Sequence, residues 1–198
     1  MKKRTILFVD GTNLYAGQYQ LFGPKKYLDF KSLIALIEKD LKISFTHIYF
    51  YASYSPKVSK PTKKEKAYLK NEALFYRNVE SIKNLTFFKG YRSKTSGKEK
   101  EVDVKLAVDI VDFAHKDKFE KLFLCSGDAD FMHALKIAQS LKKEINILAL
   151  EDRIPHRFSY SYLVHLVCFQ RIQKLKNKNR RKIRKIIIKN KEEFLKKC

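Results

Sequence analysis

The chain has 198 residues, 44% hydrophobic and 13% aromatic, which suits one globular domain with an extension and excludes disordered, collagen-like and coiled-coil classes. Its 43 Lys and Arg residues outnumber 21 Asp and Glu residues, which gives a formal net charge of +22. Such a charge attracts polyanions, and nucleic acids are the usual polyanions of the cytoplasm. The alternative is a generally basic composition without a specific partner.

Neither a membrane span nor a secreted protein is expected. Apolar runs such as Ile6–Val9 are far shorter than the roughly 18 residues of a membrane span, and Asp10 ends the run that follows the basic N-terminus. The chain has three cysteines, and no two of them form a CxxC pair. This pattern indicates reduced thiols, without a disulfide framework or a zinc site. We therefore expect a soluble, cytoplasmic protein without integral membrane association.

Strand-like and helical segments alternate along the chain. The predicted strands are Thr5–Val9, His47–Ala52, Thr86–Lys89, Lys121–Cys125, Ile145–Leu150 and Leu163–Phe169. The predicted helices are Asp29–Leu41, Lys63–Val79, Val102–His115 and Phe131–Leu141, with a short one near Ser159–Tyr162. Residues 93–100 form a polar, basic loop. This alternation predicts an α/β/α sandwich with a mostly parallel sheet covered on both faces.

The last 28 residues differ from the rest of the chain. Residues 171–198 contain 13 Lys and Arg residues and two Glu, and so carry half of the net charge. Their apolar positions fall near helical spacing, which predicts a basic, partly helical tail after a domain spanning residues 1–170. A nucleic-acid-binding arm is the first interpretation, and an amphipathic helix on a membrane surface is the alternative.

Acidic residues follow two predicted strands and open one helix. Asp10 ends the first strand, Asp128 and Asp130 follow the strand Lys121–Cys125, and Asp103 begins a helix. Sites in such sheets form at the carboxyl ends of strands, where the strand order reverses. Two carboxylates about 4 Å apart repel by roughly 4 kcal/mol at an effective dielectric near 20. If Asp10, Asp103 and Asp128 converge, Mg²⁺ or Mn²⁺ would relieve that repulsion and activate water against a phosphodiester.

Small polar residues lie beside these acids. Asn13 could orient a carboxylate or a water molecule through its side-chain amide, and Thr12 and Ser126 could bind phosphate. Ordinary capping of the following helices explains the same residues equally well.

Three motifs together point to a known family. They are FVDGTNL at Phe8–Leu14, VDVKLAVD at Val102–Asp109 and SGDADF at Ser126–Phe131. In order and spacing they resemble the NYN domain, in the LabA-like branch of the PIN-like nuclease superfamily, over roughly residues 4–170. The resemblance implies a Rossmann-like sandwich with a metal-dependent ribonuclease centre. Asp10, Asp103 and Asp128 would bind the metal.

The resemblance also implies supporting residues. Asp130 and Asn13 would support the metal ligands, and Asp109, Ser126 and Thr12 would lie around them. Asp109 is separated from Asp103 by about 120° around a helix, so the two cannot point at the same spot. The alternative for Asp109 is an ion pair with Lys105 one turn earlier.

Two positions depart from the family pattern. Glu101 stands where glycine is frequent, and Ala129 replaces a common serine. Neither change removes a predicted metal ligand.

Basic residues could bind backbone phosphates, although solvated surface loops are the equal alternative. The candidates are Lys63, Lys64, Arg92, Lys94, Lys98, Arg180 and Arg181. Four tyrosines could stack on unpaired bases: Tyr49, Tyr51, Tyr54 and Tyr91. Core packing is favoured for Tyr49 and Tyr51 if they lie on a central strand.

These observations predict a Mg²⁺- or Mn²⁺-dependent ribonuclease, with DNA as another substrate that the residues leave open. The alternative is an RNA-binding or regulatory protein of the same fold without useful turnover. A haloacid-dehalogenase-like phosphatase is excluded because Thr12 occupies the place of its second aspartate. The glycine-rich nucleotide-binding motifs are also absent from the sequence.

Overall fold

The computed structural model describes residues 3–23, 27–56, 59–92, 99–150, 158, 161–169 and 186–190. Within them the centre is an eight-stranded sheet of order β4-β3-β2-β1-β5-β6-β7-β8. The strands are β1 Thr5–Asp10, β2 His47–Ser53, β3 Leu85–Arg92, β4 Glu99–Lys100, β5 Lys121–Cys125, β6 Glu144–Leu150, β7 Leu163–Phe169 and β8 Ile186–Asn190. Six strands are parallel to one another: β3, β2, β1, β5, β6 and β7. The edge strands β4 and β8 pair antiparallel with β3 and β7.

Five α-helices cover the sheet in this part of the chain: α1 Gly11–Phe22, α2 Phe30–Leu41, α3 Lys63–Glu80, α4 Val102–His115 and α5 Met132–Ser140. Helices α1 to α3 pack on one face, and α4 and α5 pack on the other. The change of face follows from right-handed crossovers, because the strand order reverses at β1. The predicted α/β/α sandwich with a mostly parallel sheet is confirmed.

The central strand β1 explains why the strands are readable in the sequence. All six of its residues are buried. Leu7 and Val9 face the α1–α3 layer, while Ile6 and Phe8 face the α4–α5 layer. A strand buried on both faces is a continuous apolar run, which is the pattern that predicts it.

Helix α1 was not among the predicted helices. Its sequence contains Gly11, Gly17 and the buried Gln18, so it lacks a continuous apolar stripe. Asp10 begins the helix, because its side chain accepts a hydrogen bond from the backbone N–H of Asn13. The N-cap interaction therefore identifies this helix better than its hydrophobic pattern does.

Two predictions near the ends of the sheet need correction. In the tail predicted to be partly helical, Ile186–Asn190 forms strand β8 against β7, and the other residues of the tail, 171–185 and 191–198, lie outside the described residues. Three consecutive β-branched isoleucines favour a strand there. Strand β7 pairs with β6 on one side, and β8 pairs with its other side. In the predicted loop at 93–100, Glu99–Lys100 forms β4 against β3, while residues 93–98 lie outside the described residues.

The predicted short helix at 159–162 lies partly outside the described residues. Ser161 and Tyr162 form a turn, since both of their backbone N–H groups donate to the carbonyl of Phe158. No helix in the described ranges is long and apolar enough to cross a membrane.

The entry to α4 has an unusual backbone. Glu101 has a φ of 69°, in the left-handed region, and its carbonyl accepts the first hydrogen bond of the helix from Lys105 at 2.7 Å. Glycine adopts this conformation without steric cost, whereas a residue with a Cβ pays about 1–2 kcal/mol. The left-handed backbone explains why glycine suits this position in the family pattern.

We predict that Glu101→Gly is more stable than Glu101→Ala by about 1 kcal/mol, because only glycine relieves the left-handed strain. Both variants remove the carboxylate, so the comparison isolates the Cβ. Urea unfolding followed by circular dichroism measures the difference. Equal stability of the two variants, or a more stable alanine variant, would show that a Cβ at position 101 does not strain the left-handed backbone.

Candidate functional site

The acidic motifs meet where the strand order reverses. Strands β1 and β5 are neighbours, with Val9 paired to Cys125, so Asp10 and Ser126 emerge side by side at the carboxyl edge of the sheet. This is the place where open parallel sheets form their binding sites.

Asp10 is a buried carboxylate held by hydrogen bonds. It is only 4% exposed. Its Oδ1 accepts from the backbone N–H of Asn13 at 2.9 Å, and its Oδ2 accepts from Ser126 Oγ at 2.9 Å. Hydrogen bonds to a charged acceptor are stronger than neutral ones, and these two fix the plane of the carboxylate. Asn13 orients Asp10 through its backbone, where the sequence suggested its side-chain amide.

Ser126 connects the first acidic motif to the third. While its Oγ donates to Asp10, it accepts from the backbone N–H of Asp128 at 3.1 Å. Asp128 is half-buried, and its Oδ1 accepts from the backbone N–H of the exposed Asp130 at 3.0 Å. A continuous hydrogen-bonded chain therefore runs from Asn13 through Asp10 and Ser126 to Asp128 and Asp130.

The second acidic motif reaches the same edge from above the sheet. Helix α4 follows β4 and leads into β5, so it begins at the carboxyl edge and runs back across β1, β2 and β3. Asp103 lies in its first turn and is exposed. The structure thus brings Asp10, Asp103 and Asp128 to one edge of the sheet.

The chemistry of these donors fits a hard divalent cation. Carboxylate oxygens are the ligands that Mg²⁺ and Mn²⁺ prefer. Hydrogen bonds to Asp10 from Asn13 and Ser126 are the outer contacts that orient a metal ligand. Among the described residues, no group of three or more His, Cys, Asp or Glu side chains forms a ready metal-binding cluster. Coordination by Asp10, Asp103 and Asp128 therefore stays a prediction.

Gly11 sets how closely α1 approaches the sheet. A Cβ at this position would lie 2.1 Å from Phe50 Cε1 and 2.9 Å from the carbonyl oxygen of Tyr51. Only glycine allows the helix to begin directly after Asp10 at this separation. Thr12, the next residue, is half-buried in the first turn of α1.

A second buried carboxylate, Asp109, lies deeper under α4. It is 8% exposed, its Oδ2 accepts from the Tyr51 hydroxyl at 2.8 Å, and its Oδ1 forms an ion pair with Lys105. Burial and the bond to Asp109 raise the pKa of Tyr51, so this hydroxyl remains a donor. This ion pair is the alternative to a site role for Asp109 that the i,i+4 spacing predicts.

The structure places some of the candidate nucleic-acid contacts. Lys63 and Lys64 are exposed at the start of α3, which follows β2 and so begins at the same carboxyl edge as Asp10. Arg92 is the last residue of β3, at that edge as well. The other basic candidates, Lys94, Lys98, Arg180 and Arg181, lie outside the described residues.

The four candidate stacking tyrosines separate by exposure. Tyr51 is buried and Tyr49 packs against the core, as expected for a central strand. Tyr54 is half-buried against Tyr76, with Lys89 above its ring. Tyr91 is 56% exposed at the carboxyl end of β3 and is the one most open to a base.

Sequence reasoning missed one buried acid at this edge. Glu72 in α3 accepts hydrogen bonds from the backbone N–H and the hydroxyl of Ser55, at 2.9 and 2.8 Å, and so holds the turn after β2. Its spacing from Leu69 and Tyr76 put it on the apolar face of the helix, which is the signal that could have identified it.

Comparison with known proteins agrees with this geometry. The sequence profile of the NYN domain matches residues 4–163. The chain therefore belongs to the NYN domain family, whose domains are of the PIN-like nuclease type. The narrower LabA-like assignment stays a prediction.

A solved structure shares the fold. The chain is similar to the crystal structure of a protein of unknown function from Vibrio parahaemolyticus, with a TM-score of 0.60 and 16% identity. The match covers 86% of this chain and 94% of that chain. A comparison with curated proteins finds no match.

We predict that Ser126→Ala lowers the free energy of unfolding by about 1–3 kcal/mol, because it removes a donor from the buried Asp10 and an acceptor from Asp128. Urea unfolding checks this value. Ser140→Ala is the matched control, since the exposed Ser140 hydroxyl donates only to the carbonyl of Ile137. A change in Ser126→Ala no larger than the control would contradict the bridging role.

Proposed function

We propose that this chain is a metal-dependent ribonuclease that hydrolyses RNA phosphodiester bonds at the edge formed by β1, β5 and the first turn of α4. The observation that carries the proposal is the buried Asp10, joined through Ser126 to Asp128 at the strand reversal of an NYN domain. Family membership supports a nuclease, and the preference for RNA belongs to the proposal.

The roles follow from position and chemistry. Asp10, Asp103 and Asp128 would hold Mg²⁺ or Mn²⁺, with Asp130 and Asn13 supporting them. When bound, such an ion supplies a Lewis acid for the phosphate and lowers the pKa of an attacking water. The chain itself contributes the orientation of the carboxylates, which the contacts of Ser126 and of the Asn13 backbone impose on Asp10 before any substrate binds.

Charge supports a polyanionic substrate. The net charge is +22, and the exposed Lys63 and Lys64 stand at the same edge as the carboxylates. Each lysine–phosphate contact releases counterions, so RNA affinity should fall as salt rises. The cytoplasm expected from the sequence would provide both RNA and Mg²⁺.

A second candidate is an RNA-binding or regulatory protein with the same fold and no useful turnover. The observation in its favour is that the described side chains form no ready three-ligand cluster. The two candidates differ in whether bound RNA is cut.

The test is cleavage of labelled single-stranded RNA with Mn²⁺, Mg²⁺ or EDTA. We predict cleavage by the wild type with metal only, and at least about 100-fold slower cleavage by Asp10→Asn and Asp128→Asn, because each loses a charged ligand. Asparagine also preserves the N-cap role of Asp10, so the fold should persist. Asp112→Asn is the control expected to cut like wild type, because Asp112 is a partly exposed acid near the far end of α4.

The outcomes separate the candidates. Equal cleavage by the wild type and both site variants would overturn the proposed centre. RNA binding without cleavage by any sample would favour the binding protein. A parallel series with single-stranded DNA shows whether the substrate class is RNA.

A further inference from the structure

Lys105 has a position set by two neighbouring side chains. It lies in the first turns of α4, and its ammonium forms an ion pair with Asp109. The same ammonium lies 5.7 Å from the centre of the Phe88 ring. Its side chain is nevertheless 42% exposed, so a ligand can reach it.

Asp109 is itself anchored, which makes it a rigid support. Its Oδ2 is held by the hydroxyl of Tyr51, a residue 1% exposed in β2. The other oxygen, Oδ1, holds Lys105. Taking a carboxylate out of water costs free energy that only good partners offset, and an apolar residue would fill this place at no such cost. Packing of α4 on the sheet therefore does not by itself explain the hydrogen-bonded set of Tyr51, Asp109 and Lys105.

Strand register places Lys105 beside the acidic edge. Asp10 is paired with Tyr51, and Tyr51 is paired with Phe88. Neighbouring strands are about 4.8 Å apart, so Phe88 lies about 10 Å across the sheet from Asp10. Since Tyr51 and Phe88 face the α4 layer, the ammonium stands over the sheet on the side that carries Asp103.

We propose that Lys105 binds a backbone phosphate of the substrate, and that Asp109 and Tyr51 act as positioning residues for its ammonium. The proposal rests on the proposed function, which provides the substrate class. An ammonium has three N–H donors, so Lys105 can hold Asp109 and donate to a phosphate oxygen at the same time. Contacts to phosphates fix the register of a nucleic acid on a protein, and Lys105 would set which phosphodiester lies at Asp10.

The experiment measures binding rather than cleavage. In the Asp10→Asn background, anisotropy of labelled single-stranded RNA gives Kd over a range of salt concentrations. The test variant is Lys105→Met with Asp109→Asn, which leaves net charge unchanged and leaves no buried carboxylate without its cation. We expect a weakening of several-fold in Kd and a loss of about 0.7 from the log–log salt slope, the value of one phosphate contact on a single strand.

A matched control exists on the same helix. Asp112 of α4 and Lys116, the residue that follows this helix, form an i,i+4 ion pair at the opposite end of α4. Lys116→Met with Asp112→Asn should leave Kd and the salt slope unchanged. Lys105→Arg, which retains the charge, should retain the slope, and urea unfolding of every variant verifies that its fold is intact.

The outcomes also distinguish this proposal from the nuclease itself. Unchanged Kd and slope in the Lys105 double variant would overturn the phosphate contact even if the wild type cuts RNA. Weakened binding in that variant alone would support the contact even if no sample cuts RNA. If neither the wild type in EDTA nor the Asp10→Asn parent binds RNA, both proposals fail.

Discussion

The hydrogen bond from Ser126 to Asp10 is the interaction on which the rest of the candidate site depends. A buried carboxylate is stable only when hydrogen bonds replace the water it has lost. Ser126 makes one of those bonds and at the same time fixes the backbone of Asp128. Hydrogen bonds therefore link the buried Asp10 carboxylate, the start of α1 and the segment that follows β5.

Asp10 and Asp109 are buried acids whose surroundings differ. Asp10 accepts hydrogen bonds from two neutral donors, the backbone N–H of Asn13 and the hydroxyl of Ser126. Asp109 holds an ammonium and a tyrosine hydroxyl. Because the Asp109 carboxylate is already paired with Lys105, it is poorly suited to bind a metal ion and well suited to hold the lysine ammonium in place. Asp109 is therefore suited to position the Lys105 ammonium, and metal binding by Asp10 stays a prediction.

The sequence predicts the elements that are buried on both faces and the edge where the acids meet. Strand β5 and helix α4 have the predicted bounds, because an uninterrupted apolar pattern defines both. Helix α1 escaped prediction because two glycines and a buried glutamine break its apolar face. The contact of Tyr51 with Asp109 joins residues 58 positions apart and has no local signal. Such pairs depend on strand register, which only the folded sheet reveals.

The positive charge of this protein divides into a large share in the C-terminal segment of the sequence and single lysines held at defined places in the domain. Half of the net charge of +22 lies in residues 171–198, beyond the matched domain, and net charge of this kind would raise affinity for any polyanion without selecting a position on it. Lys105 contributes one charge, but Asp109 holds it at a fixed place beside the acidic edge. A nuclease must both attract its substrate and place one phosphodiester at the reacting centre. If the proposed ribonuclease activity holds, removing the tail should weaken binding and leave the position of cutting unchanged, whereas loss of Lys105 should alter that position.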